Sequence, residues 1–295
     1  MIFKGLYTAL ITPFNKEGGV DLEVLKTLLN NQIKYGADGV VPLGTTGEAP
    51  TLDKEEKINI IKTTVEVIDK KIPVIIGCGS YCTKTAIDNV KMAQDLGADA
   101  ALIVTPYYNK PTQEGIFKHF EAVDKITNIP LIVYNIAGRS CVNIETSTLK
   151  KLAELKNVKG VKEASGNIFQ MMDVLDYTMK FKPDFSVLSG DDALTLPLIS
   201  IGGHGVISVA SNIFVTQMRD LVKNALSGNF TVSRKLHFEL LPFFKAAFIE
   251  TNPIPIKEAM DLIGMKAGPT RLPLCEMQSH NKIILKKCLQ EMGIV

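Results

Sequence analysis

Tryptophan is absent from this chain, and no stretch of it reaches the ~20 apolar residues that a membrane-spanning helix needs. An excess of charge of one sign is missing too. The 33 Lys and Arg stand against 31 Asp and Glu, a net +2, which is too even to make nucleic acid or an anionic membrane the main partner. Cysteine is sparse: Cys78, Cys82, Cys141, Cys275 and Cys288 are odd in number and scattered, which argues against a disulfide framework and for a reducing compartment. Cys78 and Cys82 lie close together, but no second pair follows. The four histidines have no sequence partners that would make a metal site or a triad. Met1-Ile2-Phe3-Lys4-Gly5 lacks the basic region, apolar run and small-residue cleavage site of a leader. A soluble, cytoplasmic protein is the expectation.

What is present is alternation. Short β-branched runs occur at Leu6–Ile11, Gly39–Leu43, Pro73–Gly77, Ala100–Thr105, Pro130–Tyr134, Val158–Lys162, Phe185–Leu188 and Gly205–Val209. Most are continuously apolar, as parallel strands covered on both faces are. Helical patterns lie between them, among them Asp21–Tyr35, Asp53–Asp69, Thr83–Leu96, Thr112–Ile126 and Glu145–Leu155. Asp21, Asp53, Thr83 and Thr112 read as N-caps, and Gly36 and Gly97 as helix ends. Tyr35-Gly36-Ala37-Asp38 is echoed by Leu96-Gly97-Ala98-Asp99, and Ile72-Pro73-Val74-Ile75 by Ile129-Pro130-Leu131-Ile132. Each pair marks a helix end turning into a strand, so the units are repeated β/α pieces rather than two domains. The pattern predicts an α/β fold: a (β/α)8 barrel over residues 1–210, carrying the chemistry, with a helical appendix over 211–295 packed on it. The appendix would contain Ile213–Leu226, Thr231–Phe248, Ile254–Met265 and Met277–Met292. Periodicity alone is also compatible with an open doubly wound sheet.

Lys162 lies in Val158-Lys159-Gly160-Val161-Lys162-Glu163-Ala164-Ser165, a strand running into a turn. On the side it shares with Val158 and Gly160, an ammonium stands where a parallel strand normally places an apolar group. A buried lysine is costly to charge, and its free amine can serve as a Schiff-base nucleophile. A strand-end lysine that reaches solvent is the commoner case, and what distinguishes Lys162 is its company. In a barrel the site lies where strands end, and the unusual residues fall there. Gly44-Thr45-Thr46-Gly47-Glu48 follows the second strand; its glycines admit a ligand and its hydroxyls suit a carboxylate, although it also reads as a plain turn. Tyr107 and Tyr108 follow the fourth strand and cannot face the same way, so one can reach a site while the other packs. Tyr134 ends the fifth strand, next to that of Lys162, where a phenol can shuttle protons, and Arg139 beyond it suits bidentate carboxylate binding. Ser189-Gly190-Asp191-Asp192 and the run through Ile207 come at the last two strands, with Asp191 or Asp192 reading as a helix cap rather than an acid.

Together these residues resemble the dihydrodipicolinate synthase group of the pyruvate-dependent class I aldolases, a family that includes N-acetylneuraminate lyase. The likeness runs from Thr8-Ala9-Leu10-Ile11-Thr12-Pro13-Phe14 to Thr251-Asn252-Pro253-Ile254-Pro255-Ile256-Lys257. Its discriminating piece is Tyr134-Asn135-Ile136-Ala137-Gly138-Arg139: tyrosine and lysine are shared across the family, whereas the arginine marks the synthases. Ala137 stands where proline is common. The resemblance implies a lyase condensing pyruvate with L-aspartate-4-semialdehyde to 4-hydroxy-tetrahydrodipicolinate, the first committed step of diaminopimelate and lysine biosynthesis. It implies that Lys162 forms the imine and that Tyr134, Thr45 and Tyr108 relay protons. Tyr108 would be lent by a neighbouring subunit of a homodimer or of a tetramer built as a dimer of dimers. It further implies substrate-binding roles for Thr46 on the pyruvate carboxylate, Arg139 on the semialdehyde carboxylate, the Ile207 carbonyl, and Gly190. No metal or organic cofactor is called for, because the imine is the electron sink.

Lysine-inhibited members of the group hold the effector with histidine, asparagine and glutamate side chains at a subunit interface. The matching positions here are Lys54, Lys57, Tyr81 and Thr85, which give the effector's ammonium groups no partner, so feedback inhibition by L-lysine is not expected. Two other readings stand beside this one. A sugar-acid aldolase on the same scaffold is disfavoured by Arg139 and Tyr108. A barrel that senses a keto acid without turnover is disfavoured by the full set of Lys162, Tyr134, Thr45 and Tyr108.

Overall fold

The continuous β-branched runs become eight parallel strands: β1 Gly5–Ala9, β2 Gly39–Val41, β3 Ile75–Gly77, β4 Ala100–Val104, β5 Leu131–Asn135, β6 Val158–Glu163, β7 Ser186–Ser189 and β8 Gly205–Ser208. The structure, a computed structural model, describes residues 3–295. The strand order is β2-β1-β8-β7-β6-β5-β4-β3, so the first strand pairs with the last. The remaining seam closes through a parallel bridge between Val40 and Val74, with the Val40 amide donating to Pro73 O at 3.0 Å and the Gly77 amide to Pro42 O at 3.0 Å. The open-sheet alternative is thereby removed. Closure brings backbones into near contact, and a Cβ on Gly77 would stand 1.9 Å from Leu43 O, so only glycine fits there.

The caps fall mostly where the sequence puts them. The Asp21 side chain accepts from the Val24 amide at the start of Leu22–Tyr35, Asp53 forms a capping box on Lys54–Ile68, and Thr112 accepts from Gly115 at the start of Gln113–Asp124. Thr83 differs. It is the first residue of Thr83–Asp95 and caps nothing; its hydroxyl is 3.0 Å from His119 Nδ1, so a tertiary partner takes the oxygen that would have capped. The pattern did not mark out the helices Ile168–Phe181 after β6 and Thr195–Ser200 after β7.

The four C-terminal helices are Val215–Leu226, Phe230–Ala246, Ile254–Leu262 and Ser279–Glu291. The first packs on β1, β8 and the helix Leu22–Tyr35, so it belongs to the barrel's outer ring. The other three extend from it and return to the barrel mouth. Their return is fixed by a buried charge pair. Lys257 Nζ donates to Glu48 Oε1 at 2.9 Å, to Thr12 O at 3.1 Å and to Pro269 O at 2.6 Å, which uses all three of its protons. The second Glu48 oxygen accepts from the Arg271 amide at 2.9 Å, and the Arg271 guanidinium makes a two-oxygen pair with Glu56. Burial pulls the Lys257 ammonium below its ordinary pKa, and Glu48 opposes that shift. Removing one member of such a pair leaves the other charge buried alone, so Lys257→Met is expected to lower stability in urea unfolding by ~3–5 kcal/mol. The double variant Glu48→Gln/Lys257→Met should recover part of that loss.

Candidate active site

Lys162 sits one residue from the end of β6, directly opposite Tyr134 on β5 and Leu188 on β7. It is 5% exposed, and among the described residues its Nζ makes no hydrogen bond or ion pair; the nearest aromatic face is the Tyr134 ring, with its centre 4.1 Å away. Lys257 is equally buried but fully engaged, so the protein contains one spent amine and one free one. Room for the free one is made by Gly190, where a Cβ would lie 3.0 Å from Lys162 Cε and 2.6 Å from Ala164 Cβ.

Strand alternation sends the next residue the other way. Glu163 is fully buried outside the barrel lumen and accepts from the Ser165 amide at 2.7 Å, Asn135 Nδ2 at 3.2 Å and Gln170 Nε2 at 3.3 Å. Asn135 also donates to Asn143 and accepts from the Ile144 amide. These bonds tie the ends of β5 and β6 together behind Tyr134 and Lys162. Sequence reasoning missed them, although the signal was available: each buried site residue is followed directly by a polar one of opposite facing.

The loop after β2 carries Thr45 and Thr46 between two left-handed residues, Leu43 at φ 57° and Glu48 at φ 51°. Such backbone is retained only where its surroundings over-determine it, and here the Glu48–Lys257 pair does so. Thr12 Oγ1 donates to Gly47 O at 2.6 Å. Thr46 is buried and its Oγ1 accepts from Asn252 Nδ2 at 2.9 Å, while Thr45 is half-buried. Arg139 lies exposed on the short helix Ala137–Ser140 and donates from Nη2 to Asn252 O at 3.0 Å. Thr45, Tyr107, Tyr134, Arg139 and Asn252 line one cavity of about 560 Å³, which continues past Tyr107 to Lys57, Ser80 and Thr85. Asn252 is a further residue whose part in the site sequence reasoning missed.

Ile207 is fully buried in β8. Beyond it, Asp192 Oδ2 accepts from the amides of Val209 at 3.1 Å and Ala210 at 2.9 Å, and burial pushes its carboxyl up to about 6. Asp192 is therefore a clasp between the ends of β7 and β8 and not a helix cap; Asp191 makes the local bond, to the Ala193 amide. The two tyrosines separate as expected. Tyr107 turns inward, edge-on to Tyr81 with ring centres 5.5 Å apart, whereas Tyr108 is 91% exposed at φ 72° and lines no part of its own chain's cavity. The structure thus gathers Lys162, Tyr134, Gly190, Thr45, Thr46 and Arg139 at one end of the barrel, and leaves Tyr108 outside it. No group of three or more His, Cys, Asp or Glu is placed to hold a metal among the described residues. His119, bonded to Thr83, is pushed down to about 4 by burial.

A closed parallel barrel with one unengaged lysine buried near the end of its sixth strand has the layout of an enzyme, with an amine free at the mouth. The model of the dihydrodipicolinate synthetase family matches residues 2–292, and the chain belongs to that family. It is 54% identical to a 4-hydroxy-tetrahydrodipicolinate synthase of Protochlamydia amoebophila, over 99% of this chain and 97% of that one. It is 47% identical to the enzyme of that name from Methanocaldococcus jannaschii, over the whole of both. Among solved structures, dihydrodipicolinate synthase from Thermotoga maritima superposes with a TM-score of 0.97 at 42% identity, over 100% of each chain.

The tight fit around Lys162 yields a prediction. Gly190→Ala forces a methyl against Lys162 Cε and Ala164, an overpacking that typically costs ~1–3 kcal/mol. Urea unfolding is expected to show a stability loss of that order for Gly190→Ala.

Proposed function

We propose that Lys162 forms an imine with pyruvate and that the barrel mouth then condenses it with L-aspartate-4-semialdehyde to 4-hydroxy-tetrahydrodipicolinate. The chain is a lyase of the dihydrodipicolinate synthetase family, and its step is the 4-hydroxy-tetrahydrodipicolinate synthase step of diaminopimelate and lysine biosynthesis. The observation that carries the residue assignment is the contrast between two buried lysines. Lys257 has three oxygen partners and a counter-charge, while Lys162 has an aromatic face and no acceptor.

The amine adds to the C2 carbonyl of pyruvate, and water leaves as the imine forms. Loss of a C3 proton gives the enamine, whose C3 attacks the aldehyde carbon while the aldehyde oxygen takes up a proton. The amino group of the semialdehyde then adds to C2, closing the ring and expelling the Lys162 amine. Tyr134, beside Nζ and lining the cavity, is suited to hold and move those protons, with Thr45 next in the relay. Thr46 holds the pyruvate carboxylate. Arg139, with one N–H on Asn252 and the rest free, takes the second carboxylate. The Ile207 carbonyl and Gly190 shape the lysine pocket.

Tyr108 supports assembly from at least two copies. A tyrosine held in left-handed backbone and 91% exposed contributes nothing to its own core and leaves its phenol free to meet a second copy. A homodimer, or a tetramer of two such dimers, follows; one solved relative is described as a monomeric dihydrodipicolinate synthase variant. A cytoplasmic setting agrees with five free cysteines and with the lack, among the described residues, of a helix long and apolar enough to cross a membrane. The continuation of the cavity past Tyr107 carries the cation Lys57. Its one acidic residue among those described, Glu48, is already bound by Lys257 and the Arg271 amide. That lining repels a diamine effector, and no inhibition by L-lysine at sub-millimolar concentration is expected in steady-state assays.

Borohydride reduction in the presence of pyruvate, followed by peptide mass spectrometry, tests the central assignment. A single reduced-pyruvate adduct on the peptide carrying Lys162, lost in Lys162→Ala, is expected. An adduct on Lys257, or none, would sink it.

A further inference from the structure

Asn252 lies between the helices Phe230–Ala246 and Ile254–Leu262, 206 residues in sequence from Thr46 and 113 from Arg139, and it touches both. It is 4% exposed. Its side-chain Nδ2 donates to Thr46 Oγ1 at 2.9 Å, its main-chain carbonyl accepts from Arg139 Nη2 at 3.0 Å, and its Oδ1 is buried with no protein partner. An amide oxygen buried in that state lowers stability, so packing alone does not account for asparagine at this position.

A hydroxyl has one proton and two lone pairs. Where Asn252 donates into a lone pair of Thr46, the Thr46 proton must be given to some other acceptor. We propose that Asn252 is a positioning residue: its side chain sets the Thr46 hydroxyl as a donor toward the pyruvate carboxylate, and its carbonyl anchors Arg139 for the second carboxylate. This rests on the reading of Thr46 and Arg139 given above. The division of labour has a kinetic consequence. A side-chain change at position 252 breaks a hydrogen bond only with Thr46, because the carbonyl that holds Arg139 is kept.

Asn252→Asp is nearly isosteric but presents only acceptors, so it draws the Thr46 proton away from pyruvate. Initial-rate kinetics with both substrates varied should give a KM for pyruvate raised about tenfold or more and a KM for the semialdehyde changed less than about threefold, the size of one misdirected hydrogen bond. Asn252→Ala frees the hydroxyl to rotate and should fall between wild type and Asn252→Asp, which keeps the contrast readable if the acidic variant folds poorly. In the double variant Thr46→Val/Asn252→Asp, the KM for pyruvate should be no higher than in Thr46→Val alone, since the effect passes through one hydroxyl. Equal rises in both KM values, or full additivity in the double variant, would mean a merely structural role and would overturn the proposal. If Thr46→Val alone leaves the pyruvate KM unchanged, the assignment of Thr46 falls first and the proposal with it.

Discussion

One amine kept from every acceptor is the constraint around which this protein is organised. A lysine inside a protein normally finds a carboxylate or a set of carbonyls, as Lys257 does. Holding Lys162 otherwise requires each polar group near it to be committed elsewhere. Glu163, its immediate neighbour, faces outward and is occupied by Asn135, Gln170 and the Ser165 amide. Asp192, one strand over, is occupied by the amides beyond β8. Glu163 is directed away from the amine by strand alternation, and one Asp192 oxygen is held by backbone donors. The polar network behind the barrel wall therefore keeps the Glu163 charge off the face on which Nζ stands.

The same economy governs the mouth. Thr45 and Thr46 sit on a loop whose two ends are left-handed, and short backbone bonds such as Glu48 N to Thr45 O are all it has locally to hold that shape. The Glu48–Lys257 pair and the Arg271 fork bring the C-terminal region down onto it, with Phe14 stacked near both cations, 4.2 Å from Lys257 Nζ and 4.3 Å from Arg271 Cζ. Buried ion pairs are weak devices for stability but good ones for fixing a geometry, and this one fixes the loop on which a carboxylate would rest.

Much of this was legible in the sequence because it depends on local pattern. Continuous β-branched runs gave the strands to within a residue or two at most ends, and the caps at Asp21, Asp53, Thr112 and Gly36 gave some of the helix limits. Strand-end placement picked out Lys162, Tyr134, Thr46 and Arg139 as a group that the fold does bring together. Closure of the ring was expected from eight strand-like runs but not fixed by periodicity, since it rests on one bridge and a few bonds between β2 and β3. Thr83 was misread because capping propensity cannot anticipate a histidine from the next helix. Asn252 and Lys257 were quoted within a family-like stretch, yet nothing in Thr251-Asn252-Pro253 says that it will fold onto residues 46 and 139. Contacts across that separation belong to tertiary structure alone.

That long reach bears on how the molecule comes into being. Strands β1 to β8 are complete by Ser208, so a nascent barrel can assemble on the ribosome well before the last third of the chain emerges. The groups that tether Thr46, Arg139 and Glu48 come only afterwards, from residues 252, 257 and 271. Synthesis thus imposes an order: the scaffold comes first and its mouth last, and an unfinished chain holds the free amine of Lys162 without the contacts that fix the loops around it.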